Sequence, residues 1–373
     1  MNFSSIIAQE GIKQILRQQL TTGQIPHAQL FCGPDGCGKL PMALAFAKAL
    51  LCHSPQNGEA CGECRSCKML QRWEHPDLHF IFPIKKLKEA PNCKAYIKTW
   101  RETILSTPYL DATQWNEAMN VENQQTNIFV ADANDICDAL TLASQQGGYR
   151  VVIMWRAELM REDTANKLLK LLEEPPTQTV FILTSSSPEK ILPTILSRTQ
   201  VIKFPALTLA ELSETLINNH GLSAEAAQII ARGSAGSYIQ ATRQLMVNEE
   251  REIFFDIFVQ LMRKCYLRDI REMHRWSELV SDWGREKQKN FLQYCQHLIR
   301  ENFIFNFHNA ELNYMTQKER DFSVRFSPFI NEQNVISIMD ELSLAERDIT
   351  QNVNPKMVFF DFALKMIVLL IQK

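Results

Sequence analysis

Residues Gly33-Pro-Asp-Gly-Cys-Gly-Lys39 carry the G-x-x-x-x-G-K spacing of a phosphate-binding loop, and the next residue, Leu40, breaks it. In such a loop Gly33, Gly36 and Gly38 let backbone N–H groups approach phosphate, and Lys39 reaches the same oxygens. A Ser or Thr hydroxyl at the following position ligates Mg²⁺. Leucine has no oxygen to offer the ion. The residues therefore predict a degenerate cradle for ATP or ADP, with nucleotide occupancy left open and magnesium not expected.

A second group of side chains follows at once. Cys52, Cys61, Cys64 and Cys67 are spaced C-x8-C-x2-C-x2-C. Four thiolates are what zinc takes in a closed, tetrahedral structural site with no position left for water. An iron–sulfur ligand set and a redox C-x-x-C are the alternatives. Ferredoxin-type runs continue into a further Cys-Pro, whereas Lys68-Met-Leu-Gln71 follows here, which favours Zn²⁺. His75 reads as a capping or packing residue. Cys32, Cys37, Cys93, Cys137, Cys265 and Cys295 are scattered and read as small apolar residues with reduced thiols.

These groups need elements to hold them. Residues 28–31 form an apolar run leading into the glycine loop, and residues 40–51 read as a helix with Met42, Leu44, Ala45, Phe46, Ala49 and Leu50 on an apolar face. Pro41 is tolerated in a first turn, where its missing N–H would be unpaired anyway. Further apolar runs at 151–154, 180–184 and 201–204 alternate with helical patterns at 163–172 and 192–196. That alternation predicts an α/β fold, a parallel sheet covered on both faces. In phosphate-loop ATPases the strand corresponding to 151–154 ends in acidic residues that organise Mg²⁺ and the attacking water. Here Trp155-Arg156 follows, and the nearest acid is Glu158. Two unit charges 4 Å apart interact by roughly 4 kcal/mol at an effective dielectric of 20, so an arginine there repels the cation it should help to hold.

Composition sets the background. A chain of 373 residues implies two or three domains. With 40 basic and 42 acidic side chains it carries no global nucleic-acid footprint. The start lacks a basic n-region and the apolar runs are short of a membrane span, which predicts a cytoplasmic protein with no membrane partner.

Asn166-Lys-Leu-Leu-Lys-Leu-Leu-Glu-Glu-Pro-Pro176, then Ile195-Leu-Ser-Arg198, resembles the signature of bacterial DNA polymerase III clamp-loader subunits of the AAA+ class. Ile6-Ile-Ala-Gln-Glu10, His27-Ala28 and the cysteine block followed by His75-Pro-Asp77 resemble the same family, over about residues 3–205. The resemblance implies an AAA+ P-loop domain at 1–207 with a zinc module at about 52–77 and an insertion at about 83–127. A helical lid at 208–247 and a helical collar that joins subunits at 248–373 would follow. In the family a Ser-Arg-Cys motif places its arginine at the ATP of a neighbouring subunit. Here Ser197-Arg198-Thr199 keeps the arginine and loses the cysteine. The family's nucleotide-sensing arginine follows a Gly-Ser pair, and Gly233-Ser-Ala-Gly236 puts glycine there.

Losing the magnesium hydroxyl, the acidic pair and the sensing arginine while keeping Arg198 resembles the non-hydrolysing, delta-prime branch of the family. The resemblance then implies partnership with gamma/tau and delta subunits, and with the sliding clamp and primed DNA through the assembly. It implies no intrinsic ATPase, with Arg198 acting in trans as an arginine finger. Two rivals stand beside it: an active gamma/tau-like motor, and a zinc-containing DNA-binding module using Lys85 to Lys88 with Trp100 and Trp115. For residues 83–127 the bland reading is a surface elaboration, a solvated basic turn and a helical hairpin at about 95–105 and 112–119. The acidic pair Glu249-Glu250 reads as a hinge. The last helix, from about Pro355, carries Met357, Phe360, Leu364, Ile367, Leu370 and Ile371 on one face, is apolar nearly all round, and must be buried against other helices or other subunits.

Overall fold

The structure, a computed structural model, describes residues 1–87, 91–121, 125–141, 144–307 and 315–371. Lys88, the last lysine of the basic run, lies outside them. The chain divides into two compact units, Met1–Gln244 and Leu245–Lys373.

The first unit is built on five parallel strands: β1 (Ala28–Cys32), β2 (Leu78–Ile81), β3 (Arg150–Met154), β4 (Thr179–Ser185) and β5 (Gln200–Lys203), in the order β2-β3-β4-β1-β5. Every residue of β1, β3 and β4 is buried, the pattern of a sheet covered on both faces. Because all pairings are parallel, the loops after β1, β3 and β4 leave the sheet at one edge, side by side. Four strands were expected. The fifth, β2, was missed because His79 interrupts a run of only four residues.

Helix Lys39–Leu50 starts at Gly38 and is buried on all sides rather than along one face. The insertion differs more. Its helices Ile97–Ser106 and Ala112–Ala118 form where expected, but Trp100 and Trp115 are fully buried. Trp100 stacks on Phe82 with ring centroids 4.4 Å apart, Trp115 meets the same ring edge-on at 5.1 Å, and Trp115 Nε1 donates to Pro83 O at 2.7 Å. These aromatics extend the core along β2, so they are not available to stack on nucleic-acid bases. Helix Val130–Thr141 was not anticipated; its buried Asp132 accepts from Cys93 N at 2.7 Å and Phe129 N at 2.9 Å.

Helices Leu209–His220 and Ala224–Gly233 follow, the first opened by a Thr208–Glu211 capping box. Helix Tyr238–Leu267 follows, 30 residues long, and Glu249-Glu250 lie within it.

The second unit is helical: the end of Tyr238–Leu267, then Ile270–Ser281, Arg285–Phe305, Gln317–Phe326, Val335–Thr350 and Pro355–Leu369. Trp276, Phe258, Phe291 and Phe359 fill its core. The last helix buries Val358, Phe359, Phe362, Ala363 and Met366, whereas Met357 and Ile371 are 69% and 53% exposed. A helix apolar nearly all round carries no periodicity to choose a face, and the side with Val358, Phe359 and Phe362 is the one packed inward.

One ionic group is built into this unit. Glu319 accepts from Arg251 Nε at 3.0 Å and Nη2 at 2.7 Å, from Tyr294 Oη at 2.5 Å and from Thr316 N at 2.7 Å. Burial alone would raise its pKa, but these donors hold the carboxyl below its ordinary value. Replacing it by alanine leaves the partly exposed Arg251 guanidinium and a half-buried phenol without their acceptor, so Glu319→Ala is expected to destabilise the unit by about 1–3 kcal/mol in urea unfolding. The depressed pKa gives the sign of the pH effect. The carboxylate's contribution is full above its unfolded pKa and is lost as pH falls through the folded one. The gap between wild type and variant should therefore narrow in acid.

Candidate functional site

At the sheet edge, Lys39 folds back onto its own loop. Its Nζ donates to Gly33 O at 2.5 Å and Pro34 O at 2.6 Å and lies 3.9 Å from Asp35 Oδ1. Burial pushes the ammonium's pKa down, with Cys37 and Asp35 opposing. Leu40 is only 4% exposed and belongs to the core beneath the loop. Gly36 is covered by the start of helix Tyr238–Leu267. Tyr238 N donates to Gly36 O at 3.3 Å, and a methyl group on Gly36 would collide with Ser237 Oγ.

Beyond β3, Arg156 adopts a left-handed conformation (φ 56°) and turns its guanidinium into the same edge. Nη1 lies 3.3 Å from Asp35 Oδ2, and Nη2 lies 3.5 Å from both Glu158 Oε1 and Ser186 Oγ. Glu158 is buried and accepts from Ser186 Oγ at 3.0 Å. The three loops thus bring Lys39, Asp35, Arg156, Glu158 and Ser186 together, as a self-neutralising cluster with two cations and two anions. A magnesium ion does not fit this arrangement. Position 40 supplies no oxygen, and the one buried carboxylate at the end of β3 already faces a guanidinium.

The position expected for a sensing arginine is closed by geometry. Gly236 has φ 76°, and a methyl group on it would lie 2.6 Å from Leu207 O and 2.9 Å from Ala206 Cβ. No side chain fits there without moving the backbone.

Arg198 lies elsewhere on this unit, at the end of the short helix Pro193–Leu196. Its Nε donates to Glu173 Oε1 at 2.8 Å, Nη2 reaches the same oxygen, and Nη1 donates to Thr194 O at 2.8 Å. The side chain is one-third exposed. It is a planar, permanently charged fork held at the surface by an acid from the preceding helix.

The four predicted metal ligands converge. Cys52, Cys61, Cys64 and Cys67 Sγ atoms all lie within 4.8 Å of one another, with Cys52–Cys61 at 3.5 Å and both Cys52–Cys64 and Cys61–Cys67 at 3.9 Å. Sulfurs bound tetrahedrally at about 2.3 Å from zinc stand about 3.8 Å apart, so the arrangement fits such an ion. Backbone N–H groups of Cys61, Cys64 and Cys67 point at the sulfurs of Cys52, Cys61 and Cys64 at 3.3–3.4 Å. Those from Cys64 and Glu63 draw the Cys61 thiol down to about 6. Behind the cluster, His75 is buried, accepts from Asp77 N at Nδ1 (3.1 Å) and meets Ser66 Oγ through Nε2 at 2.9 Å. His75 packs and caps, as expected.

The sequence profile of the family described as DNA polymerase III, delta subunit, matches residues 8–208, more than half of the chain. The chain belongs to that family. It is 32% identical over 224 residues to the delta-prime subunit of Pseudomonas aeruginosa DNA polymerase III, a match spanning 59% of this chain and 56% of that one. It is also 30% identical over 241 residues to the gamma/tau subunit of Mycobacterium tuberculosis, spanning 63% of this chain and 35% of that protein. The matched stretch thus covers little more than half of one relative and about a third of the other. Among solved structures, the Thermotoga maritima RuvB branch-migration motor aligns with a TM-score of 0.37 at 16% identity, over 65% of this chain and 62% of that one. Among the described residues no helix is long and apolar enough to cross a membrane.

Within this family's P-loop unit, sequence reading missed three residues that shape the site. Asp35 is the x of a glycine motif, and nothing local shows that it meets Arg156, 121 positions away. Glu173 stands in the family's Leu-Leu-Glu-Glu-Pro-Pro stretch, which was a usable signal for an acid near Arg198. Tyr109, from the insertion, accepts from Ile7 N at 3.0 Å beside the P-loop, and no pattern in the sequence announces it.

Proposed function

We propose that this chain is a delta-prime-like, non-hydrolysing subunit of a DNA polymerase III clamp loader, whose Arg198 completes the ATP site of a neighbouring gamma/tau motor. The observation that carries this reading is the guanidinium of Arg156 held between Asp35 and Glu158, where a hydrolase needs an acid pair and a divalent cation. With Leu40 in the core and Gly236 closed to any side chain, the chain's own loop lacks both a magnesium oxygen at position 40 and a sensing arginine at position 236.

In trans the chemistry is simple. Arg198 exchanges Glu173 for the phosphate oxygens of ATP on the adjacent subunit, and its two donors stabilise the charge that develops as the phosphoryl group transfers. Residues 1–207 act as the AAA+ domain, 208–247 as its lid and 248–373 as the collar joining gamma/tau and delta subunits. The assembly opens the sliding clamp and closes it on primed DNA. Zn²⁺ on Cys52, Cys61, Cys64 and Cys67 has a structural part, fixing a loop-rich excursion.

The test is ATP turnover by a reconstituted loader containing this chain as wild type or Arg198→Ala, beside the isolated chain. An inactive isolated chain and a slow but intact mutant loader support the reading. Hydrolysis by the isolated chain, with Arg198→Ala harmless in the complex, would make the chain a motor.

That motor reading has Lys39 and the gamma/tau relatives in its favour, and one substitution separates the two. Lys39→Ala is expected to leave the loader's clamp- and DNA-stimulated turnover within about twofold of wild type, because Lys39 serves its own loop carbonyls. A loss of a hundredfold or more would point to catalysis on this chain.

A further inference from the structure

The end of the sheet opposite the P-loop, where β2, β3 and β4 begin, carries a chain of polar contacts that starts at the cysteine cluster. Helix Arg65–Leu70 holds Cys67 and, one residue before it, Ser66, whose side chain is fully buried. Ser66 Oγ lies 2.9 Å from His75 Nε2 and 3.0 Å from His53 Nε2. Asp77 N donates to His75 Nδ1 at 3.1 Å, so the proton of the neutral ring sits on Nε2 and is offered to Ser66 Oγ. The serine's own proton is then free for His53. Asp77 continues the chain. Its carboxylate accepts from Gln145 N at 3.0 Å, and from Gln146 N and Ser144 Oγ at 3.1 Å. Ser144 Oγ in turn accepts from Gly147 N at 3.0 Å and Gly148 N at 3.2 Å. Residues 144–148 belong to no helix or strand, so two side chains hold four of their amides. A cavity of about 590 Å³ lies at this end, lined by His53 and Pro55 of the cysteine module together with Gln146, Gly147 and Tyr149.

We infer that Ser66, His75 and Asp77 couple metal occupancy of the cysteine cluster to the order of residues 144–148, and so to the shape of this cavity. With an ion on the four thiolates, helix Arg65–Leu70 is fixed and Ser66 clamps the His75 ring. Without it the segment carrying Ser66 loosens and His75 loses its acceptor. Asp77, no longer held at its N–H by a fixed ring, then turns its carboxylate away from the amides of 144–148. None of the three is a ligand; they are positioning residues that carry the state of the metal site across the start of the sheet. The inference rests on the zinc reading above, and neither on the idle P-loop nor on Arg198.

The experiment is amide hydrogen exchange, read by mass spectrometry, on the full-length chain loaded with zinc and after chelation, with zinc content measured on the same samples. Chelation should speed exchange at Gln145 to Gly148 by about 5- to 150-fold, the usual range for coupling between two sites, and leave the amides of β4 unchanged. Ser66→Ala should keep its zinc yet exchange these amides at the chelated rate whether or not metal is present. If Ser66→Ala fails to fold, His75→Asn keeps an acceptor for Asp77 N but does not reach Ser66, and should give the same result. Zinc bound with residues 144–148 indifferent to its removal overturns the coupling alone. So does a response that survives in the variant, or one shared equally by β4. A chain that binds no zinc overturns the zinc reading and the coupling together.

Discussion

Removing metal from the cluster of Cys52, Cys61, Cys64 and Cys67 is expected to unfold the chain from Cys52 to about Lys68 while leaving standing the parallel sheet, whose core holds Leu70 and Trp73. The reason is local. Between Cys52 and the helix Arg65–Leu70 the chain makes turns and one isolated bridge, Gln56 with Glu59, and its buried apolar content is little more than Ala60 and the cysteines themselves. Such a segment cannot offset its ordering entropy by burial. Structural zinc contributes on the order of 10–16 kcal/mol of apparent folding free energy in small peptides at neutral pH, enough to dominate here. Arg65 and Lys68 give the readout, since trypsin should cut at them in chelated protein or in Cys67→Ser and spare them in native protein. Metal analysis should find about one zinc per native chain. Metal-free native protein, resistant at these sites with or without chelator, would show that the cysteines pack without an ion.

If Arg198 is the finger proposed above, Arg198→Ala is expected to reduce turnover at the neighbouring subunit's ATP site by about 10³- to 10⁵-fold, the range for arginine fingers in phosphoryl transfer. Steady-state turnover of the whole loader falls less when the remaining motor sites fire independently. Single-turnover measurement at limiting ATP separates the slow site from the fast ones. Assembly should be unchanged, because the pair with Glu173 is a surface ion pair whose loss costs about 0–1 kcal/mol. Arg198→Lys makes the sharper control. It keeps the charge but not the two-donor fork, so it should restore little of the rate. Full rescue by lysine would mean that only charge matters at that interface.

Much of what the candidate sites are built from was legible because its signals are local. Gly33 to Lys39 with the apolar run before it, the cysteine block, and Ile195-Leu-Ser-Arg198 all act over fewer than about twenty residues. What the sequence withheld depends on distance or on direction. Arg156 announced a lost acid, but not that Asp35 and Glu158 would clasp it. Lysines around Trp100 and Trp115 gave the insertion a surface look, whereas both indoles turn inward against Phe82. Residues Glu249-Glu250 fall inside helix Tyr238–Leu267, whose length no local pattern announced. For the final helix, apolar residues on every side left the choice of buried face to its neighbours.

The buried Leu40 carries a further consequence, for engineering. A serine at position 40 would restore the missing magnesium oxygen on paper, but it would also put a hydroxyl into a site packed by the core. Arg156 would still occupy the metal's neighbourhood, and an arginine at position 236 would strike Leu207 and Ala206. On the proposed idle-loop reading each of these substitutions is penalised when made alone. Engineering a working hydrolase into this loop would then require the changes together, because every single step is uphill.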